Sequence, residues 1–177
     1  GLILNENAAK LIFAGIVGDT GRFLFPSTNP KTFTYAGELV TFGFSFPELY
    51  DQLYFQKENV TRLSGYVLQN YEVTDNGVAS MVITKDILEK YDVTPSDASQ
   101  LVSILGNVEN ILAWAFFVEE EDQIRVRLRS NGPIINEVAK RYKGGGHPLA
   151  AGASIYSWDE VSRVITDLEE VCKNKSR

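Results

Sequence analysis

Gln123-Ile124-Arg125-Val126-Arg127-Leu128-Arg129-Ser130 alternates strictly between two kinds of side chain. A period of two sends Ile124, Val126 and Leu128 to one face of an extended segment and Arg125, Arg127 and Arg129 to the other. That pattern marks a strand with one buried and one polar face. Just upstream, residues 111–119 form a second strand-like run, and Glu119-Glu120-Glu121-Asp122 makes an acidic turn between the two. Further out, residues 71–74 and 78–84 flank Asp75-Asn76-Gly77, a hairpin turn in which Asn-Gly tolerates positive φ. A last short strand is expected at residues 153–156.

Helices surround these strands. Thr94-Pro95 opens one that continues to about Leu105, and Asn131-Gly132-Pro133 leads into another over residues 134–142. Ser157-Trp158-Asp159-Glu160 has capping-box spacing and starts a terminal helix toward Cys172. The first 70 residues read as helical throughout. Asn5 caps a helix over residues 6–17, with Leu11, Ile12 and Ile16 at helical spacing. Asn29 and Pro30 start a second, which ends near Gly43. Ser45-Phe46-Pro47-Glu48 starts a third, and a fourth covers residues 58–69. The expected fold is α/β: a helical segment over residues 1–70, then a domain over 71–177 built on a mixed five-stranded sheet with flanking helices.

The 177 residues are 44% apolar and 23% charged, ordinary for a globular protein and unlike a disordered one. With 17 Lys and Arg against 23 Asp and Glu, the net charge is −6. That argues against wrapping long duplex nucleic acid, where phosphate neutralisation dominates affinity. It leaves room for a small anion at a local basic patch. The single cysteine, Cys172, excludes an internal disulfide and a cysteine zinc site. No apolar run reaches membrane-spanning length. The reading is a soluble, cytoplasmic protein that does not involve a membrane. The chain begins at Gly1 without Met and runs straight into structured-looking sequence, as part of a longer protein does.

Three features could carry chemistry. Lys143-Gly144-Gly145-Gly146-His147-Pro148 joins a helix to a strand. Three glycines cost conformational entropy, so the backbone needs something only glycine permits, such as a ligand approaching consecutive N–H groups. His147, the only histidine, could donate to a phosphate. By itself the run reads more readily as a flexible turn. The arginines of residues 123–130 form a positive stripe suited to phosphate or carboxylate. They could instead pair with the acidic turn, Arg125 most directly, which leaves Arg129 and Ser130 as the better ligand candidates. Asp19, in Val17-Gly18-Asp19-Thr20-Gly21, could reach a hard metal ion or simply finish the helix with an Asx turn. A two-metal hydrolytic centre needs several converging ligands, and this chain offers no second cluster.

Together, residues 14–23 (Ala-Gly-Ile-Val-Gly-Asp-Thr-Gly-Arg-Phe), Arg129-Ser130, and Gly144-Gly145-Gly146-His147-Pro148 with Ala151-Gly152-Ala153 resemble the DHH phosphoesterases. Within that family the chain is most similar to the bacterial oligoribonuclease and 3′-phosphoadenosine-5′-phosphate (pAp) phosphatase branch, over essentially all 177 residues. The resemblance implies a catalytic domain whose Asp and His motifs bind two manganese ions, and a C-terminal domain that grips substrate, with the active site between them. It assigns Asp19 a catalytic, metal-ligand role and gives Arg129, Ser130, Gly144, Gly145, Gly146 and His147 to the substrate. The Asp-His-His signature and earlier metal motifs are absent from the chain, so it resembles the late part of such an enzyme, inactive alone and a weak binder of manganese. Implied partners are short RNA oligonucleotides, mononucleotides and pAp, with the oligomeric state open and compatible with a homodimer. Two other readings stay open: a nucleotide-binding module, as attached to some tRNA synthetases and exonucleases, and a cyclic-dinucleotide phosphodiesterase of the same superfamily.

Overall fold

The computed structural model describes residues 4–173. One compact unit runs to Gln56 and a second starts at Lys57.

The first unit contains α1 (Glu6–Asp19), α2 (Pro30–Val40) and α3 (Phe46–Tyr54). Their starts follow the side-chain caps read from sequence. Asn5 accepts from the Ala8 N–H, Asn29 forms a capping box with Thr32, and Ser45 accepts from Glu48. The face of α1 that packs is only partly the one expected, with Ile16 half-buried against this core. Leu11 and Ile12 are exposed, whereas Ala9, Phe13 and Val17, spaced four apart, are buried. Phe13 decides this, because its ring meets Phe23 and Phe44 at centroid distances of 6.3 and 5.4 Å. An aromatic side chain contributes more burial than an aliphatic one on a neighbouring face.

The second unit begins with α4 (Glu58–Asn70), then β1 (Glu72–Val73), β2 (Val78–Ile83), α5 (Lys85–Tyr91) and α6 (Pro95–Gln100). Next come a 3₁₀ segment at Leu101–Asn107, β3 (Ala113–Glu119), β4 (Ile124–Ser130), α7 (Asn136–Arg141), β5 (Gly145–His147) and β6 (Ala150–Ile155). A 3₁₀ turn at Trp158–Glu160 leads into α8 (Val161–Cys172). The sheet has six strands in the order β1-β2-β3-β4-β6-β5. The strand beyond the five expected is the glycine run itself. Helix α5 had no counterpart in the sequence reading, and the helix expected to reach Leu105 gives way to 3₁₀ geometry after Gln100. These pieces form the crossover that lets β2 and β3 pair in parallel; the other pairings are antiparallel.

Each sheet face has its own core. On one, Ala113, Ala115, Phe117, Val126, Leu128, Ala151 and Ala153 pack with Val138 of α7 and Val164 and Leu168 of α8. On the other, Ala79, Met81, Ile83, Trp114, Phe116 and Val118 of β2 and β3 lie under Leu63 and Val67 of α4 and Leu101 and Leu105 of the 3₁₀ segment. Phe116 and Phe117 are fully buried on opposite faces, each a contribution of about 2–3 kcal/mol. The helices of this second layer cover β2 and β3 and leave the corresponding face of β4, β6 and β5 only partly covered. Among the described residues no helix is long and apolar enough to cross a membrane.

Candidate functional site

Strand β4 alternates in burial as it alternates in sequence: Ile124, Val126, Leu128 and Ser130 are buried, and Arg125, Arg127 and Arg129 are half-buried. Antiparallel partners share a face, so the register says what stands beside each arginine. Arg125 lies opposite Ser154 of β6, Arg127 opposite Gly152, and Arg129 opposite Ala150. One strand further, Gly152 pairs with Gly145 and Ala150 with His147. The partly covered face therefore carries Arg127, Gly152 and Gly145 in one row, with Arg129, Ala150 and His147 in the next.

The three arginines differ in their partners. Arg125 is occupied: its Nε and Nη2 donate to the two carboxylate oxygens of Glu120 at 3.2 and 3.3 Å. The Gln123 amide donates to the same carboxylate at 2.7 Å. Among the described residues the Arg129 side chain donates only to the Leu128 carbonyl, at 2.8 Å. Burial first, and then the neighbouring charge of Arg127, hold the Arg129 guanidinium below the usual arginine pKa. Arg129 remains cationic at neutral pH all the same. Among the described residues the Arg127 side chain makes no hydrogen bond or ion pair, and neither arginine has a carboxylate. Adjacent half-buried cations without counter-charge are electrostatically unfavourable, and an anion bridging them removes the cost. Sequence reasoning set Arg127 aside although the same alternation that marks Arg129 puts it on this face.

Two of the three glycines serve the protein's own backbone. A Cβ on Gly144 would lie 2.1 Å from the Gly152 carbonyl oxygen and 2.6 Å from the Ala153 Cα. Gly146 has φ +137°, and a Cβ there would lie 2.7 Å from the Ala150 carbonyl oxygen. The Gly144 N–H is already donated to the Ala139 carbonyl at 3.0 Å. The run thus leads into the edge strand of a hairpin and is neither the flexible turn nor the free nest of amides that the sequence alone allows, because close packing on β6 uses the missing side chains. Gly145 is different: nothing lies within 4 Å of a Cβ placed there. With Gly152, whose Cβ would sit 3.5 Å from Arg127 Nη1, it leaves a bare floor beside the free guanidinium. His147 is exposed at the edge of that floor.

The remaining candidates lie elsewhere. Ser130 is turned to the buried face, where its hydroxyl donates to the Leu112 carbonyl at 3.3 Å and accepts from the Gly132 N–H at 3.0 Å. It closes the turn after β4. Asp19, in the first unit, is exposed and is the final residue of α1. The chain after it is unusual: Gly21, Arg22 and Phe23 all have positive φ, at 54°, 62° and 67°. For the two non-glycine residues this costs on the order of 1–2 kcal/mol each. Thr20 offsets it by donating to the Ile16 carbonyl and accepting from the Phe23 N–H, while Arg22 stacks over Tyr54 at 4.9 Å. No three His, Cys, Asp or Glu residues among those described gather to hold a metal ion. One exposed carboxylate cannot by itself hold a two-ion centre.

Comparison with known proteins fits this anatomy. The model of the DHHA1 domain matches residues 75–174. The chain is 62% identical over 170 residues to the bifunctional oligoribonuclease and PAP phosphatase NrnA of Bacillus subtilis (strain 168), covering 96% of this chain and 54% of that protein. It is 44% identical over 173 residues to the probable bifunctional oligoribonuclease and PAP phosphatase NrnA of Streptococcus mutans, covering 97% and 56%. The crystal structure of an exopolyphosphatase-related protein from Bacteroides fragilis superposes with a TM-score of 0.88 at 29% identity, over 96% of this chain and 53% of that one. The chain spans about half the length of the curated relatives it matches.

Proposed function

This chain belongs to the DHHA1 domain family, and from that premise we propose that its open arginine face grips substrate for a phosphoesterase acting on short oligoribonucleotides and on pAp. The observation that carries the reading is the pair Arg127 and Arg129, half-buried neighbours with no carboxylate among the described residues, beside the bare floor of Gly145 and Gly152. Relatives named as both oligoribonuclease and PAP phosphatase support it. The two substrates share one chemistry, a pair of phosphates separated by one nucleoside. Arginines at i and i+2 on a strand stand about 6.8 Å apart, close to the step between neighbouring phosphates of an extended nucleotide chain.

In this reading Arg129 and Arg127 each donate to one phosphate. Their hydrogen bonds to charged oxygens are the stronger kind. His147, in register with Arg129, donates from the strand edge, and Gly145 and Gly152 let the sugar-phosphate approach the sheet. Ser130 and Gly144 act indirectly by fixing the turn after β4 and the packing of β5 on β6. In the whole protein Asp19 would contribute one ligand to a manganese centre whose other ligands lie outside this chain. Such ions would lower the pKa of a bound water enough to make a hydroxide nucleophile available near neutral pH. Holding the nucleotide fixed relative to that centre is how a binding face contributes to rate.

The test is titration of pAp and dinucleotides into a full-length protein with manganese, following release of phosphate and mononucleotide. Both activities are expected there, and none from the 177-residue chain alone. Manganese-dependent turnover by the isolated chain would contradict the division of labour. Full-length protein inert toward both substrates would remove the assignment.

A further inference from the structure

The arginine row has a third member, and its state differs from the other two. Arg125 continues the same face at the same spacing, so on geometry alone it would meet a third phosphate. It is held instead by Glu120, with both carboxylate oxygens engaged and Gln123 bracing the same group. Glu120 and Arg125 are each about one-third exposed or less, and the Glu120 N–H is fixed to the Gln123 carbonyl at 2.8 Å, so the pair is built into the β3–β4 turn. Glu121 and Asp122, next in sequence, are exposed and touch no arginine.

We propose that Glu120 ends the phosphate track: by neutralising Arg125 it limits recognition on this face to two consecutive phosphates and makes the site selective for short oligonucleotides. A longer strand gains no further ion pair past Arg127 and meets a carboxylate. The inference rests on the reading of this face as the nucleotide site and adds to it what sets the length.

The experiment uses the 177-residue chain, with nuclear magnetic resonance titrations that read weak binding. The ligands are 5′-phosphorylated oligoribonucleotides carrying one, two or three phosphates (pN, pNpN and pNpNpN). The wild-type chain is expected to gain affinity from pN to pNpN and none from pNpN to pNpNpN. Glu120→Gln frees Arg125, so pNpNpN should bind up to about fivefold more tightly than pNpN, the upper end for a partly exposed ion pair. The salt dependence for pNpNpN should steepen from a slope of about −1.4 to about −2.1, one further phosphate neutralised. Glu121→Gln removes the same charge without freeing an arginine and should keep the wild-type profile. If Glu120→Gln keeps that profile while Arg127→Ala loses pNpN, the length inference falls and the nucleotide face stands. If Glu121→Gln matches Glu120→Gln, bulk charge explains the effect and the inference falls. If Arg127→Ala binds pNpN as well as wild type, the face is not the site and both readings fall.

Discussion

Replacing Gly144 and Gly145 one at a time by alanine separates packing from binding within a single tripeptide. At Gly144 the added methyl would stand 2.1 Å from the Gly152 carbonyl oxygen and 2.6 Å from the Ala153 Cα. Both are backbone atoms of β6, which β4 holds along its length. No rotamer change relieves the overlap, so β5 must move by about an ångström, and the Gly144 N–H bond to Ala139 at the end of α7 is strained with it. Overpacking against backbone costs about 3 kcal/mol or more. At Gly145 the same methyl enters open space and φ is not left-handed. There the substitution restricts the unfolded chain and stabilises by about 0.5 kcal/mol. Both tryptophans, Trp114 and Trp158, lie in the second unit, so their fluorescence during urea unfolding reports on that unit. Gly144→Ala should lower the midpoint by about 1.5 M, taking a slope of about 2 kcal/mol/M. Gly145→Ala should leave the midpoint unchanged or slightly raised, yet weaken dinucleotide binding severalfold by filling the floor. Equal midpoints for the two variants would refute the packing argument, and undiminished binding by Gly145→Ala would refute the floor.

Other consequences are as direct. In a full-length enzyme, Arg129→Ala and His147→Ala should each weaken substrate binding by about 1–3 kcal/mol; unchanged KM and kcat in both would remove them from the site. Burial, and then the hydrogen bond to Asp167 at 2.7 Å, push the Tyr142 phenol up to about 12. The stability this brings is complete below an unfolded tyrosine value of about 10 and is lost as pH rises from there through about 12. Tyr142→Phe should flatten that alkaline loss in denaturation curves; an unchanged alkaline slope would count against the linkage. Burial pushes the Cys172 thiol up to about 11, so it should react with a disulfide reagent at pH 8 only as fast as α8 opens. Reaction at the rate of a free thiol would show that the helix does not protect it.

Much of the fold is local, and the local part is legible in the sequence. Asn5, Asn29, Thr94 and Ser157 cap helices through hydrogen bonds spanning two or three residues. The alternation of residues 123–130 reappears one for one in the burial of β4. The same period separates Arg127 and Arg129 from Ser130, a signal sufficient to include Arg127 and to turn the Ser130 hydroxyl inward. The face of α1 was less legible, because Leu11 and Ile12 compete with Phe13 on hydrophobicity alone and only the rings of Phe23 and Phe44 decide between them.

For this protein, then, period and capping determined where the chain is helix or strand and which arginines share a face, since both depend on neighbours within a few residues. Tertiary structure decided which partners those residues meet. It pairs β2 with β3 in parallel across a crossover and turns the glycine run into an edge strand whose first and third glycines are demanded by β6. It also satisfies Arg125 with Glu120 and leaves Arg127 and Arg129 without a counter-charge among the described residues. Each outcome depends on which distant groups are brought within a few ångströms. A guanidinium is a structural ion pair or a ligand site according to whether a carboxylate stands opposite it, and no local period records that.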